Sequence, residues 1–522
     1  MSKGDSMKSN IKRIIIGTIL VISSLLLGIV GGVKASSSVT INNNEFDSLI
    51  NTLKNNWYSE IYYGKDYDED VLIDQFVGAL STSEKTFLDP YTYLTKIDNS
   101  QTTPIKKGKI GVTFTNCFNY PIVSNIEKNG SAYNKLEIGD IVLKVGKKDD
   151  ESIKYYSVLD NNIDFSTIFD NAIGQANEEL YICVARFNNQ NSFDTIDYKL
   201  TLNEKNEDTY ASLVDCNIKD TTMVSLNSFV CQGSNDLSCS QLDNILSNNP
   251  SKNLIFDLRN NGGGALASAI NICNLFLPEK TLITTLLPKD ASMARKYYTE
   301  NPQKYSYENI FILQNDRTAS ASEVVISALS YYAKNNNGKG DYNLYLIGNK
   351  SYGKGIAQTS INVLNNTYRL QYTCAKWLRP DNSWIGMKGS KFEENYQLGF
   401  DTTNNCKVIK DEILSLMETY SSKKYVYLKN SNFDAYQYDK VSVLNKYLMN
   451  LFNKMYDKSY RDDMYFDNTC IEAIKEFQKI NNIDQTGILD ENTFLYLIKD
   501  FYGRKTSFDN SHLQIVNDLL EK

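Results

Sequence analysis

Twice in this chain a short buried apolar strand runs through a turn of small residues straight into a helix. The stretch 253–258 enters Arg259-Asn260-Asn261-Gly262-Gly263-Gly264, and Ala265, Ala269, Ile272, Cys273 and Phe276 then recur on one helical face. The stretch 310–314 leads through a second turn to a helix over about 320–333, with Val324, Val325, Ala328, Leu329 and Tyr332 inward. Strands at 222–226 and 344–347 extend the alternation, which predicts an α/β layer over about 205–425.

The remainder reads differently. Phe46, Leu49, Ile50, Leu53 and Trp57 predict a helix beginning near residue 44, and a second helix is expected over about 69–80. From about 105 to 204 the apolar period shortens to two. Ile110, Val112 and Phe114 alternate, Gly130-Ser131-Ala132 predicts a short helix, and 136–145 predicts a turn entering a strand. Near the end, Val441, Leu444, Leu448 and Phe452 form one helical stripe, and Ile471, Ile474, Phe477 and Gln478 a second. A third helix follows with Asp490 as N-cap. A chain of 522 residues is too long for one core. The expected class is a multidomain α/β and α+β protein, divided at 1–35, 36–104, 105–204, 205–428 and 429–522.

At the N-terminus, Lys3, Lys8, Lys12 and Arg13 precede an uncharged run over 14–33, long enough to span hydrocarbon. Two fates follow: a single-pass membrane anchor, or a signal peptide cleaved after Val33-Lys34-Ala35. Either places the rest outside the cytoplasm. A net charge of −7 argues against nucleic acid as the main partner. Nine scattered cysteines without a C-x-x-C pair predict free buried thiols rather than zinc ligands or a disulfide framework.

The chemistry is constrained by a single histidine. His512 lies in the polar tail and is read as a solvated residue. A serine nucleophile needs a base, so with imidazole scarce a Ser-Lys pair becomes the economical arrangement. Thr318-Ala319-Ser320-Ala321-Ser322-Glu323 places Ser320 at a helix start, where unpaired N–H groups point outward and Ala321 N–H is a natural oxyanion donor. The same hexamer also fits an ordinary serine N-cap. Lys354, between Gly353 and Gly355, would serve as base if it were buried without a carboxylate partner, with Gln358 holding it by a neutral hydrogen bond. A surface loop lysine is the plain alternative. The Gly262–Gly264 turn has three readings at this point: a second oxyanion donor, a phosphate cradle without the usual Gly-Lys-Ser/Thr ending, or a tight turn.

Asp257 to Gly264, Thr318 to Glu323 and Gly353-Lys354-Gly355 with Gln358 occur in this order. Together they resemble the C-terminal (tail-specific) processing peptidases of Gram-positive type. Leu88-Asp89-Pro90-Tyr91-Thr92-Tyr93-Leu94 resembles a further element of that family. Residues 105–204 look like its inserted PDZ domain, with Gly139-Asp140 at a recurrent turn. The tail, around 470–478 and 486–490, resembles a peptidoglycan-binding helical domain. The resemblance implies a serine endopeptidase core with an N-terminal helical part. It assigns Ser320 as nucleophile, Lys354 as base, Gln358 as its orienting residue, and Ala321 with Gly264 (or Gly263) as oxyanion amides. It implies protein substrates with accessible C-termini, captured by a PDZ carboxylate loop at Lys109-Ile110-Gly111. No metal, nucleotide or other cofactor is implied. For the tail two uses stand, peptidoglycan binding or packing and homodimer contacts. Two departures are visible: an insertion at 335–343 before Lys354, and Gly262 where the family often has proline. The rival readings are a catalytically inert PDZ and cell-wall-binding scaffold, and a nucleotide-binding α/β protein.

Overall fold

The computed structural model describes residues 43–58, 89–97, 108–117, 120–127, 130–149, 152–157, 174–203, 209–336, 340–363, 366, 368–390, 393–421, 443–463 and 467–522. The N-terminal apolar run, the helix expected over 69–80, Leu88, Val441 and part of the 335–343 insertion lie outside them. Among the described residues no helix is long and apolar enough to cross a membrane. The chain forms two compact units, 1–100 with 210–403 and 101–209 with 404–522.

In the first unit, α1 (Asn43–Asn56) and β1 (Tyr93–Lys96) precede the main α/β layer. In the second unit the chain runs through β2 (Val112–Cys117), β3 (Tyr120–Ile126), β4 (Ile141–Asp149), β5 (Ser152–Ser157), β6 (Glu179–Phe187) and β7 (Phe193–Thr201). It returns to the first unit with β8 (Ala211–Val214), β9 (Thr221–Leu226), the small hairpin β10 (Cys231–Gln232) and β11 (Asn235–Asp236), α2 (Leu237–Asn248), β12 (Asn253–Asp257) and α3 (Leu266–Phe276). Then come β13 (Leu282–Pro288), β14 (Arg295–Tyr298), β15 (Asn309–Gln314), α4 (Ala321–Tyr332), β16 (Asn343–Gly348), β17 (Ile356–Val363) and β18 (Tyr368–Leu378).

The central sheet has the order β16-β15-β12-β9-β8, parallel except for edge strand β8. Strand β12 is buried along its whole length, as the apolar run Leu254-Ile255-Phe256 requires of a strand covered on both faces. Helices α2, α3 and α4 share its core through Leu242, Leu246, Ile272, Phe276, Val325 and Leu329. Helix α4 is buried nearly all round, Ser322, Ser327 and Ser330 included, because it also meets β13 of a second sheet. That sheet, in which β18 pairs β1, β13 and β17, is antiparallel and was not expected from the apolar pattern.

The topology places the loops that matter. Strands β12, β15 and β16 are neighbours and parallel, with Asp257 beside Leu313 and Gln314 beside Gly348. Their C-terminal ends therefore lie at one edge of the sheet, where open α/β folds build their crevices. The Gly262–Gly264 turn, the Ser320 turn and the Lys354 loop leave from those three ends.

The second unit is a six-stranded antiparallel sheet, β2-β3-β4-β6-β7 with β5 on β4, packed with α5 (Glu412–Ser421), α6 (Val443–Tyr456), α7 (Asn468–Ile480) and α8 (Glu491–Leu520). Buried Asp140 at the β4 entry takes two bonds of 2.7 Å from Arg186 of β6. Residues 131–135 form successive turns rather than a helix, with Ala132 N–H tied to Ile110 O at 3.2 Å. The β-sheet and the C-terminal helices share one core: Tyr120 meets Phe494 at 5.7 Å, and Phe187 and Phe193 meet Tyr496 edge-on at 5.9 and 5.2 Å. Asp490 caps α8 by accepting from Thr493 N–H at 2.7 Å. His512 corrects an expectation. It is buried in α8, its Nδ1 is 3.0 Å from Phe508 O and its ring lies edge-on to Phe508, because α8 runs on to Leu520 and packs this face inward. None of the nine cysteines forms a disulfide; Cys117, Cys183, Cys273, Cys406 and Cys470 are buried.

Candidate active site

Ser320 stands on a strained turn. Its φ of 58° and ψ of −117° lie where a side chain is disfavoured, a conformation persisting only when neighbours over-determine it. Those neighbours are visible. Ala319 N–H and Ser322 Oγ both donate to Asn261 O, at 3.0 and 2.9 Å, and Thr318 Oγ1 donates to Leu258 O at 2.8 Å. The Ser320 turn is thereby stitched to the end of β12. Gly263 is there because nothing larger fits: a Cβ would lie 2.7 Å from Ala319 O and Ala321 N and 2.8 Å from Ser320 Cβ, at a φ of 98°.

The amides sort themselves. Gly263 N–H donates to Asn261 Oδ1 at 2.9 Å, so it is taken. Among the described residues Gly264 N–H and Ala321 N–H donate to no protein group. Gly264 is exposed, and Ala321 opens α4 where the helix dipole adds positive potential. Of the two glycines the sequence left open, the free amide belongs to Gly264.

Glu323 is the residue that sequence reasoning missed. It is fully buried, and its carboxylate accepts four bonds. Oε2 takes Ser320 N–H at 2.9 Å and Lys354 N–H at 2.8 Å; Oε1 takes Ser351 Oγ and Gly353 N–H, both at 2.7 Å. One side chain thus ties the serine turn to the lysine loop, and Tyr352 N–H to Thr318 O adds a direct link of 2.9 Å. Burial pushes the Glu323 carboxyl up, and its four donors pull the other way. The signal was a glutamate three residues after a helix-capping serine, the capping-box spacing.

The Lys354 backbone is clamped by two tryptophans. Trp377 Nε1 donates to Lys354 O at 2.8 Å and Trp384 Nε1 to Gly355 O at 2.6 Å. A Cβ on Gly355 would strike Gly386 O and the Trp384 indole. The Lys354 side chain is half-buried and joins no ion pair among the described residues. Burial holds its amine below the ordinary lysine range, against the more distant charges of Glu323 and Asp89. Its Nζ sits 4.1 Å from the ring centroid of Tyr91. In this state it shares no hydrogen bond with Ser320 Oγ or with Gln358. Gln358 lies at the β17 bulge opposite Thr373, with a buried Nε2 that has no partner among the described residues.

In the second unit, Lys109 is bridged through its backbone to Asn203, at 2.9 and 2.8 Å, and through Nζ to Glu127 at 3.1 Å. Ile110 is buried, and Gly111 packs against Gly130 at a φ of 75°. Among the described residues the amides of Ile110 and Gly111 donate to no protein group, just before edge strand β2.

Three adjacent loops of one parallel sheet thus carry a strained serine, two amides without a protein acceptor among the described residues, and a half-buried lysine. Residues 220–395 match the family described as peptidase family S41. Residues 437–497 match "Putative peptidoglycan binding domain". Among curated proteins, the chain is similar to "Carboxy-terminal processing protease CtpA" of Bacillus subtilis, 26% identical over 321 residues, covering 60% of this chain and 59% of that one. It is also similar to "Probable CtpA-like serine protease" of Staphylococcus aureus, 28% identical over 392 residues, covering 72% and 70%. Against the first curated relatives the chain spans about half to three-fifths of their length. Among solved structures, the photosystem II D1 C-terminal processing protease is similar with a TM-score of 0.37 at 16% identity, over 72% of this chain and 95% of that one.

Proposed function

We propose that this chain is a serine-type endopeptidase acting on protein substrates outside the cytoplasm, with Ser320 as nucleophile and Lys354 as general base. The observation that carries the reading is a half-buried lysine with no ion-pair partner among the described residues, on a loop that one buried carboxylate ties to the Ser320 turn. The neutral Lys354 amine accepts the Ser320 hydroxyl proton as Oγ bonds to the scissile carbonyl carbon. The oxyanion is received by Gly264 and Ala321 N–H. The Lys354 ammonium then protonates the leaving amine as the C–N bond breaks, and water hydrolyses the acyl ester with Lys354 again taking the proton. To begin, the amine leaves the face of Tyr91. Gln358, whose buried Nε2 has no partner among the described residues, stands ready to orient it.

Residues 105–204 are read as a PDZ-type domain. The free amides of Ile110 and Gly111 would take a substrate's terminal carboxylate, and β2 would pair with its last residues. The match over 437–497 supports a role for the C-terminal helices in holding the enzyme at peptidoglycan. The nucleotide alternative loses ground, because Asn261 occupies an amide that a phosphate cradle would use.

The test compares the full chain with Ser320→Ala and Lys354→Met on casein and on peptides with apolar carboxyl ends. Each variant is expected to lose roughly a thousandfold or more in kcat/KM, as removal of an activated nucleophile or its base does. Wild-type hydrolysis by Lys354→Met would overturn the dyad. Equal inactivity of all three proteins would favour the inert scaffold.

A further inference from the structure

We propose that Tyr91 is a positioning residue for the lysine base: its ring face seats the Lys354 ammonium between turnovers and releases the neutral amine toward Ser320. This rests on the Ser-Lys reading above. The geometry comes first. Lys354 Nζ lies 4.1 Å from the Tyr91 centroid, within the range at which a ring face attracts a cation. The ring is held in place from below. Asp89, 1% exposed, accepts from Tyr91 N–H at 3.0 Å, Trp57 Nε1 at 2.9 Å, Thr92 Oγ1 at 2.6 Å and Thr373 Oγ1 at 3.4 Å. Thr373 stands opposite Gln358 across β17 and β18, so the turn carrying Tyr91 is anchored beside the residue assigned to orient the lysine.

The Tyr91 ring belongs to a largely aromatic cluster. Tyr58, Ile356 and Met387 form a buried cluster against which Tyr91, Tyr352 and Trp384 pack. A second cation faces the same cluster: Lys376 Nζ lies over the Tyr58 ring at 5.1 Å and the Trp384 ring at 4.5 Å. Glu323 and Asp89 favour the Lys354 ammonium from a distance, and burial disfavours it. Tyr91 Oη is 3.4 Å from Tyr352 Oη, and burial pushes the Tyr91 hydroxyl up, so it stays a neutral phenol. On the far side, Lys388 lies over the Tyr352 ring at 5.2 Å.

The ring therefore acts on Lys354 in two opposed ways. Its face attracts the charged amine, and its bulk keeps water away, which favours the neutral one. Only the charged form is drawn to the face, so loss of the proton removes the hold. Position and protonation are coupled in one contact. Tyr91 is far from Lys354 in sequence, and the turn fixed by Asp89 holds it against the lysine amine.

The experiment reads the Lys354 ionisation in two ways: the pH dependence of kcat/KM, and competitive acetylation of Lys354 in the Ser320→Ala chain, which needs no hydrolysis. Tyr91→Phe keeps the face and is expected to keep the ionisation where it is. Tyr91→Leu keeps water out but loses the face, and is expected to move the ionisation down by about half a unit to one unit. Tyr91→Ala admits water and is expected to move it up. Thermal melting identifies any variant that fails to fold; for one that does, Tyr91→Met replaces Tyr91→Leu. Identical ionisations in all folded variants, whatever the fall in rate, overturn the proposal. Hydrolysis surviving Lys354→Met instead overturns the Ser-Lys reading, while the acetylation series still reports on the seat.

Discussion

Replacing Glu323 by glutamine probes the link between the two halves of the site. Each carboxylate oxygen accepts two bonds, Ser320 N–H and Lys354 N–H on Oε2, Ser351 Oγ and Gly353 N–H on Oε1. An amide keeps one acceptor oxygen and turns an NH2 group toward two buried donors. Leaving a buried donor unsatisfied costs about 1–3 kcal/mol, so two cost about 2–6 kcal/mol. The amide also relieves the burial of a charge, which is what pushes the Glu323 carboxyl up. Four donors already offset much of that burial, so the lost bonds are expected to win. At even 2 kcal/mol, local opening becomes about thirtyfold more frequent. Hydrogen exchange followed by mass spectrometry should show faster exchange over 318–324 and 351–356. Because misplacement by about 1 Å is able to cost about a hundredfold in rate, kcat should fall with a smaller change in KM. Unchanged protection in both segments together with a kcat within about threefold of wild type would refute the reasoning.

The Lys354 ionisation lies below the ordinary lysine range because of burial, so kcat/KM should rise with pH through a limb displaced to the acid side of that range. The folded chain then binds fewer protons than the unfolded one between the lowered value and the ordinary one; stability rises with pH across that window and falls as pH drops through it. Lys354→Met should accordingly raise the melting temperature at neutral pH. Gly263→Ala forces a Cβ to 2.7 Å from Ala319 O and Ala321 N at a φ of 98°, and should abolish activity at a stability cost of about 1–3 kcal/mol. Gly262→Ala, with nothing within 4 Å of its Cβ, should leave kcat/KM as it was; equal behaviour of the two variants would contradict the packing argument. Phe494, 1% exposed against Tyr120, should cost about 3–5 kcal/mol when cut to alanine, and hydrogen exchange should accelerate in β3 as well as in α8 if the two share a core.

Much of the α/β layer was legible. Strands β9, β12, β15 and β16 and helices α3 and α4 fall where apolar runs and small-residue turns put them, within a residue or two. A fully buried strand announces itself because every side chain must be apolar. The second sheet did not: β17 reads Ile-Ala-Gln-Thr-Ser-Ile-Asn-Val and is half exposed, so its pattern is weak, and its pairing with β18 is decided by partners distant in sequence. The burial of His512 was likewise invisible, since the surface that covers it belongs to the packing of a long helix.

The candidate pair came from residue type and a family resemblance together: with one histidine a Ser-Lys pair is the economical arrangement, while the serine alone also fits an ordinary N-cap and the lysine a surface loop. Their surroundings were not legible. That Gly263 N–H is occupied and Gly264 N–H free, that Glu323 bonds to both loops, and that Tyr91 lies against the lysine amine are consequences of three parallel strands ending side by side and of a buried aspartate fixing a distant turn. Residue identity limits which bonds a side chain is able to make. Which of them it does make depends on neighbours delivered by the fold, and those are set by burial and register across the whole unit rather than by local order along the chain.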